Sequence, residues 1–172
     1  KVRKVISLWV GLALLLSACA LLQPKGQRIV WPEQIRYMEA MCELDMSWQG
    51  MNYDGSMSLI MDYPSQLRME LYGPFGNTLM LLKKDNENFL LVTKDEKITD
   101  PTLFEDRFGF KIREFMDDIA MIPQKSLAGN GQLTVQKAAY RVIYRSNNKE
   151  STMCWENTEG SICIKFLEVK FG

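Results

Sequence analysis

The 172-residue chain contains no histidine. That removes the commonest general base, the usual partner of a serine or cysteine nucleophile, and the commonest metal ligand. Hydrolytic chemistry would have to rest on carboxylates alone. The adjacent pairs Glu105/Asp106 and Asp117/Asp118 fall in helical patterns. Neighbours on a helix diverge by ~100°, so neither pair converges on one substrate; both read as solvated helix faces. An excess of positive charge is also lacking, with 21 basic against 21 acidic groups, so there is no footprint for nucleic acid. No glycine-rich phosphate loop follows a strand, since Gly129-Asn130-Gly131 is a lone turn. The four cysteines show no zinc-like spacing. No metal or cofactor is expected, and the chain reads as non-enzymatic.

A run long enough to span a bilayer is missing too. Residues 5–16 form an apolar stretch of 12, whereas a spanning helix needs roughly 20. Lys1, Arg3 and Lys4 precede it and Leu16-Ser17-Ala18-Cys19 follows it, which is the pattern of a secretory signal. Leu-Ser-Ala-Cys resembles the bacterial lipobox. That resemblance implies cleavage before Cys19, a diacylglycerol on its thiol and acylation of the new amine. Each buried CH₂ would contribute ~0.8 kcal/mol, and two chains already hold a protein on a bilayer. Residues 1–18 are then the signal, 19–30 the lipidated start and a tether, and 31–172 a single domain. Without the signal, 154 residues remain with 18 basic and 21 acidic groups, one domain's worth of chain. Ala20 follows the cysteine. An aspartate there would resemble an inner-membrane retention signal, so its absence implies the outer membrane, with the domain facing the periplasm.

Trp31-Pro32 and Glu33 suit a helix start, and Ile35, Met38, Met41 and Cys42 give it an apolar stripe. From Leu44 the period becomes two. Leu44, Met46 and Trp48 alternate with polar residues, Asn52-Tyr53-Asp54-Gly55 suits a hairpin turn, and Met57, Leu59 and Met61 continue the alternation. Further strands are expected over 66–72, 78–83, 88–93 and 97–99. Asp100-Pro101 caps a helix over 101–108 that Gly109 stops, and 110–121 repeats a helical pattern up to Pro123. Polar residues 123–131 lead back to strands over 132–136, 138–145, 150–156 and 161–171, with turns at Asn147-Asn148 and Asn157–Gly160. The last run shifts its apolar face from Ile162, Ile164 and Phe166 to Leu167, Val169 and Phe171, as a bulge would cause. The fold class is mainly β (α+β): one large curved antiparallel sheet with helices against its apolar face.

Cys154 and Cys163 flank the Asn157–Gly160 turn. If Asn157 pairs with Gly160, the two lie directly opposite on the more polar face, close enough for a disulfide. Trp155 then faces Ile162, and Met153 faces Ile164. Cys42 reads as a buried free thiol.

The turn Gly73-Pro74-Phe75-Gly76 joins two alternating runs. Proline second and glycine fourth suit a type I turn. A phenyl ring is out of place at its tip, which normally faces water. All 11 methionines follow Cys19, and Met46, Met57, Met61, Met69, Met80, Met116 and Met121 fall on strands or helices. Such flexible, polarisable side chains serve either as core filler or as a lining for varied ligands.

Behind a lipobox, the layout resembles the LolA/LolB family of lipoprotein carriers and receptors. The likeness is best over 63–122: Leu67-Arg68-Met69-Glu70-Leu71, the turn, Asn77-Thr78-Leu79-Met80-Leu81-Leu82, the strand 89–93, and two helices separated by Gly109. It implies an incomplete antiparallel β-barrel of about ten to eleven strands, with a helical lid over an apolar cavity. Met46, Trp48, Met57, Met61 and Met69 would line that cavity on the sheet side. Phe104, Phe108, Phe115, Met116 and Ile119 would line it from the lid. In LolB receptors the corresponding loop reads Asn-Pro-Leu-Gly, and its exposed leucine helps to insert lipoproteins; here Phe75 takes the leucine's place and Gly73 the asparagine's. The resemblance implies a monomeric, lipid-anchored receptor that takes acylated lipoproteins from a LolA-like periplasmic carrier and releases them into the outer membrane. Rival readings are a module of the same fold that binds another lipid or hydrophobic ligand, and a structural lipoprotein of an envelope complex with Phe75 against protein.

Overall fold

The computed structural model describes residues 29–123, 131–147 and 150–172. Ten strands follow one another as β1 (Tyr37–Trp48), β2 (Met51–Asp62), β3 (Gln66–Tyr72), β4 (Thr78–Asp85), β5 (Asn88–Thr93), β6 (Lys97–Ile98), β7 (Gly131–Gln136), β8 (Arg141–Ser146), β9 (Ser151–Asn157) and β10 (Gly160–Phe171). Helices α1 (Pro101–Phe108) and α2 (Ile112–Ala120) lie between β6 and β7 in the chain. The sheet order is β6-β5-β4-β3-β2-β1-β10-β9-β8-β7. Every neighbouring pair is antiparallel, and the pairing of β1 with β10 joins the two halves. The sheet does not close, so the fold is an incomplete antiparallel barrel with two helices packed on its inner face. No helix among the described residues is long and apolar enough to cross a membrane.

One-sided alternation builds this sheet. Met38, Ala40, Cys42, Leu44 and Trp48 of β1 are buried and Met46 is half-buried, while Glu39, Met41, Glu43, Asp45 and Ser47 face out. Met57, Leu59 and Met61 of β2 continue the same face, as do Leu67, Met69 and Leu71 of β3. The other half contributes Val142, Tyr144, Met153, Trp155, Ile162, Ile164 and Phe166 to one core cluster with the helices. The helix ends are local. Asp100 accepts a hydrogen bond from the Thr102 N–H at 2.9 Å, Pro101 occupies the first turn, and Gly109 closes α1 at φ 72°. In β10 the register against β1 shifts between Met41 and Cys42, so Leu167 is the extra residue. Val169 and Phe171 return to the inner face, and Leu167 stays exposed. The bulge is where the sequence places it, but Leu167 does not join the apolar face.

Two expectations are corrected. No helix follows Trp31-Pro32: β1 begins at Tyr37. The stripe Ile35, Met38, Met41, Cys42 is read by the sheet with period two, which buries Met38 and Cys42 and turns Met41 outward. Trp31 instead lies across the inner face, its ring 5.4 Å from Phe166 and 5.5 Å from Phe171, its Nε1 donating to Ser151 Oγ at 3.2 Å. The first hairpin does not turn at Asn52–Gly55. It turns at Gln49-Gly50, both with positive φ (47° and 79°), so that Trp48 pairs with Met51. Gly55 instead leaves room for a neighbouring ring. The Tyr53 hydroxyl sits 2.6 Å from where a Cβ on Gly55 would be, and reaches the Tyr72 carbonyl at 2.7 Å. Of the Asn147-Asn148 turn, Asn148 lies outside the described residues, as do 124–130; the Asn147 N–H donates to the Glu150 carbonyl at 3.0 Å.

Asn157 pairs with Gly160, and Cys154 and Cys163 are opposed and disulfide-bonded, with Cα atoms 4.1 Å apart. Cys154 is fully buried, so that outer face is less polar than its alternation suggests. Removing the bridge in a Cys154→Ser/Cys163→Ser chain is expected to lower unfolding stability by about 2–3 kcal/mol, the loop being short; urea denaturation measures it. Cys42 is free, has no exposed surface, and burial pushes its thiol up to about 12. Iodoacetamide at pH 8 is therefore expected to leave Cys42 unmodified in the folded chain and to label it after urea unfolding, as mass spectrometry would show.

Candidate functional site

Two regions carry the sequence-derived candidates: the inner face under the helices and the β3–β4 turn. On the inner face, Trp48, Met57, Met61, Met69, Phe104, Phe108, Phe115, Met116 and Ile119 come together in one buried cluster, with Met46 packed at its margin. Aromatic rings tie the helices to the sheet. Phe104 lies 4.7 Å from Phe108 and 5.6 Å from Phe89 of β5. Phe115 stacks on Trp155 of β9 at 4.4 Å, and Trp48 of β1 meets Phe108 at 6.1 Å. Such pairs add roughly 0.5–1.5 kcal/mol each beyond their area burial. Met57, Met61, Met116 and Ile119 have 0 % exposure, so they border no space that admits water. At these four positions the inner face is packed against the protein's own side chains.

Three further residues of this region are not apparent from the sequence: Phe110, Tyr140 and Asp118. Phe110 follows Gly109 and lies 5.9 Å from Phe104, 6.2 Å from Phe115 and 5.6 Å from Tyr140. Asp118 corrects the reading of Asp117/Asp118 as a solvated pair. The two side chains do diverge, but in opposite service. Asp117 faces the β2–β3 turn, where it accepts from the Tyr63 hydroxyl at 3.1 Å and pairs with Arg113 at 2.9 Å. Asp118 is 1 % exposed and faces β8 and β9. Its Oδ2 accepts from the Tyr140 hydroxyl at 2.9 Å and from Trp155 Nε1 at 3.1 Å. Its Oδ1 meets Lys137 Nζ at 2.8 Å, and its backbone carbonyl accepts from the Tyr144 hydroxyl at 3.0 Å. Burial first, and then the Asp118 charge, raise both phenols well above the ordinary tyrosine value, so they remain donors. Helix α2 is thereby clasped from both halves of the sheet. Helix α1 is held by Trp48 Nε1, which donates to the Arg107 carbonyl at 3.2 Å, and by the Arg107–Glu96 ion pair.

At the β3–β4 turn the geometry is set by the backbone. The Gly76 N–H donates to the Gly73 carbonyl at 2.9 Å, as a type I turn with Pro74 second and Phe75 third requires. The Gly73 N–H donates to the Asn77 carbonyl at 2.8 Å. Gly76 has φ 77°, which favours glycine, and the Asn77 side chain lies 2.8 Å from where a Cβ on Gly73 would sit. Gly73 thus cannot carry a side chain without displacing Asn77. Phe75 is 95 % exposed at the tip. Behind it, the β3–β4 register shifts so that Leu71 pairs with Met80 and Tyr72 with Thr78; Leu79 is the extra residue and is also exposed. The Tyr53 hydroxyl on the Tyr72 carbonyl braces the base of the turn.

Cys19 lies outside the described residues. Among those described, no group of histidine, cysteine, aspartate or glutamate side chains could hold a metal ion. A groove of about 170 Å³ on the outer face is lined by Glu39, Met41, Ser58, Ile60, Glu168 and Lys170. A polar cleft of about 530 Å³ lies beside the β7–β8 and β9–β10 connections, with Arg141 and Glu156 paired in it. Neither cleft holds a converging set of reactive groups.

An Asp118→Ala substitution strands the Tyr140 and Trp155 donors in the core. It is expected to cost about 3 kcal/mol of unfolding stability. Tyr140→Phe, which removes one donor to a charged acceptor, is expected to cost about 1.5–2 kcal/mol. Urea titrations followed by tryptophan fluorescence test both.

Comparison of the chain with protein-family models and with curated proteins returns no match.

Proposed function

We propose that the chain is a non-enzymatic, lipid-anchored receptor of the outer membrane that accepts the acyl chains of lipoproteins on the inner face of its open barrel and passes them into the bilayer. The observation that carries the reading is Phe75. A whole phenyl ring stands in water at the tip of a turn fixed by two backbone hydrogen bonds. Leaving it there is unfavourable by roughly 1.5–3 kcal/mol relative to burial. A domain tethered to a membrane through Cys19 recovers that free energy when the ring enters the interface. The resemblance of the loop to the inserting loop of LolB receptors supports the same role.

The inner face supports the second half of the reading. It is lined by methionine and aromatic side chains under two short helices, a surface that repacks around chains of different length. Because α1 and α2 pack directly on this face, cargo enters by displacing them. Closure on release restores the helix–sheet packing. Acyl chains are therefore held less tightly than in a bilayer, and delivery needs no nucleotide.

The test is a transfer assay. The chain is mixed with an acylated lipoprotein held by its periplasmic carrier, liposomes are added, and cargo in each fraction is measured for the wild type and for Phe75→Glu. The wild type is expected to take up and deliver cargo. Phe75→Glu is expected to take it up and to deliver at least tenfold less. Uptake by neither protein would overturn the receptor reading; equal delivery by both would remove Phe75 from it. A protein partner that co-purifies with the wild type and is lost in Phe75→Glu would favour an envelope complex instead.

A further inference from the structure

The two edges of the open sheet are protected very differently. β6 is two residues long and carries Lys97, a short and charged edge of the kind that resists pairing. β7, Gly131–Gln136, presents Gln132-Leu133-Thr134-Val135-Gln136 with no charge, no proline and no bulge. Its inner partner is β8, and among the described residues nothing pairs with its outer side. Leu133 is 38 % exposed there.

The backbone direction follows from the hairpin. The Lys137 N–H donates to the Tyr140 carbonyl at 2.9 Å, which closes the β7–β8 connection. In an antiparallel ladder bonded and non-bonded pairs alternate. Val135 and Leu133 therefore also point their backbone groups at β8, opposite Val142 and Tyr144. Gln132, Thr134 and Gln136 point theirs outward.

The outward-facing segment nearly reads the same in both directions about Thr134. We propose that β7 pairs antiparallel with β7 of a second copy of this chain, about a two-fold axis at Thr134, giving a dimer in place of the monomer that the family resemblance implies. Thr134 then faces its own counterpart, and each Gln132 faces the other copy's Gln136. These are the three positions whose N–H and carbonyl groups point outward, so about six backbone hydrogen bonds form. Leu133 faces Val135 of the second copy on the inner side, and the exposed leucine gains a partner. No like charges are opposed. The contact is isologous and closes as a dimer, and the short charged β6 edge offers no second site from which a filament could grow.

Disulfide trapping in cell-envelope membranes tests the register with the full chain. Opposed residues in a bonded pair have Cα atoms ~5.5 Å apart, within disulfide reach. The copies of residue 132 are offset by four residues, ~13 Å along the strand. Thr134→Cys is expected to give a cross-linked dimer under mild oxidation, with at least a tenfold excess over Gln132→Cys, and the wild type none. Equal cross-linking by both variants would show collision only and overturn the register; no cross-link at residue 134 would overturn the dimer. As a second measurement, sedimentation of the detergent-solubilised wild type is expected to show a dimer that Thr134→Lys converts to monomer. A monomeric wild type would likewise sink the proposal. Either result leaves the transfer assay unaffected.

Discussion

The structure depends on covering one face of a sheet that does not close. Strands that mostly alternate in polarity put most of their large apolar groups on the inner face, from Met38 through Leu91 on one half to Phe166 on the other. A closed barrel would bury that face against itself. Here the ten strands end at β6 and β7 without meeting, so the helices have to supply the missing cover. Their sequences suit that role. Phe104 and Phe108 share one side of α1, and Phe115, Met116 and Ile119 share one side of α2. The clasp at Asp118 follows from the same constraint. A helix held by apolar contacts alone could slide over a methionine-rich surface, whereas a buried carboxylate with three side-chain donors fixes one position. Its desolvation is costly and is offset only by the near-complete set of partners.

The fully exposed phenyl ring sits on the opposite footing. Its turn is ordered by its own backbone, by a glycine with positive φ, and by the Asn77 side chain over Gly73. None of this ordering uses the ring. Phe75 contributes nothing to holding the turn, and the cost of its exposure is offset elsewhere in the structure. In the core, by contrast, every comparable ring has at least one ring partner within about 6 Å, as Phe89 has in Phe104. The contrast between packed and unpacked phenylalanines is what makes the turn a candidate site rather than a loose loop.

Where local rules suffice, the fold is legible in the residues. β3 and β5 have the boundaries that alternation implies, α1 starts at its Asp-Pro cap and stops at Gly109, and the Cys154–Cys163 register follows from the Asn157–Gly160 turn. The misreadings each have a physical cause. Met38 and Cys42, four residues apart, satisfy helical and strand spacing at once, whereas Ile35 lies before β1 and Met41 turns outward. Gln49 is an uncommon residue for a left-handed turn, so local rules favour the better-looking Asn52–Gly55 for the hairpin. Asp118 finds its partners 22 and 37 residues further along the chain. No local pattern signals that a carboxylate will be met by a tyrosine from the β7–β8 connection and a tryptophan from β9. Phe75 is legible because its anomaly is local: an aromatic residue in the third place of a turn.

The packing of the helices on the sheet also bears on direction. In the proposed function, cargo must leave the protein for a bilayer without an energy source. A preformed empty cavity would bind acyl chains at the full hydrophobic gain, roughly 0.8 kcal/mol per CH₂, and would compete evenly with lipid. A core that must first part Phe115 from Trp155 and release the Asp118 clasp holds its cargo less strongly by the free energy of those contacts. That difference is recovered when the helices close again. In the proposed function, the same packing that stabilises the empty domain would bias transfer toward the membrane.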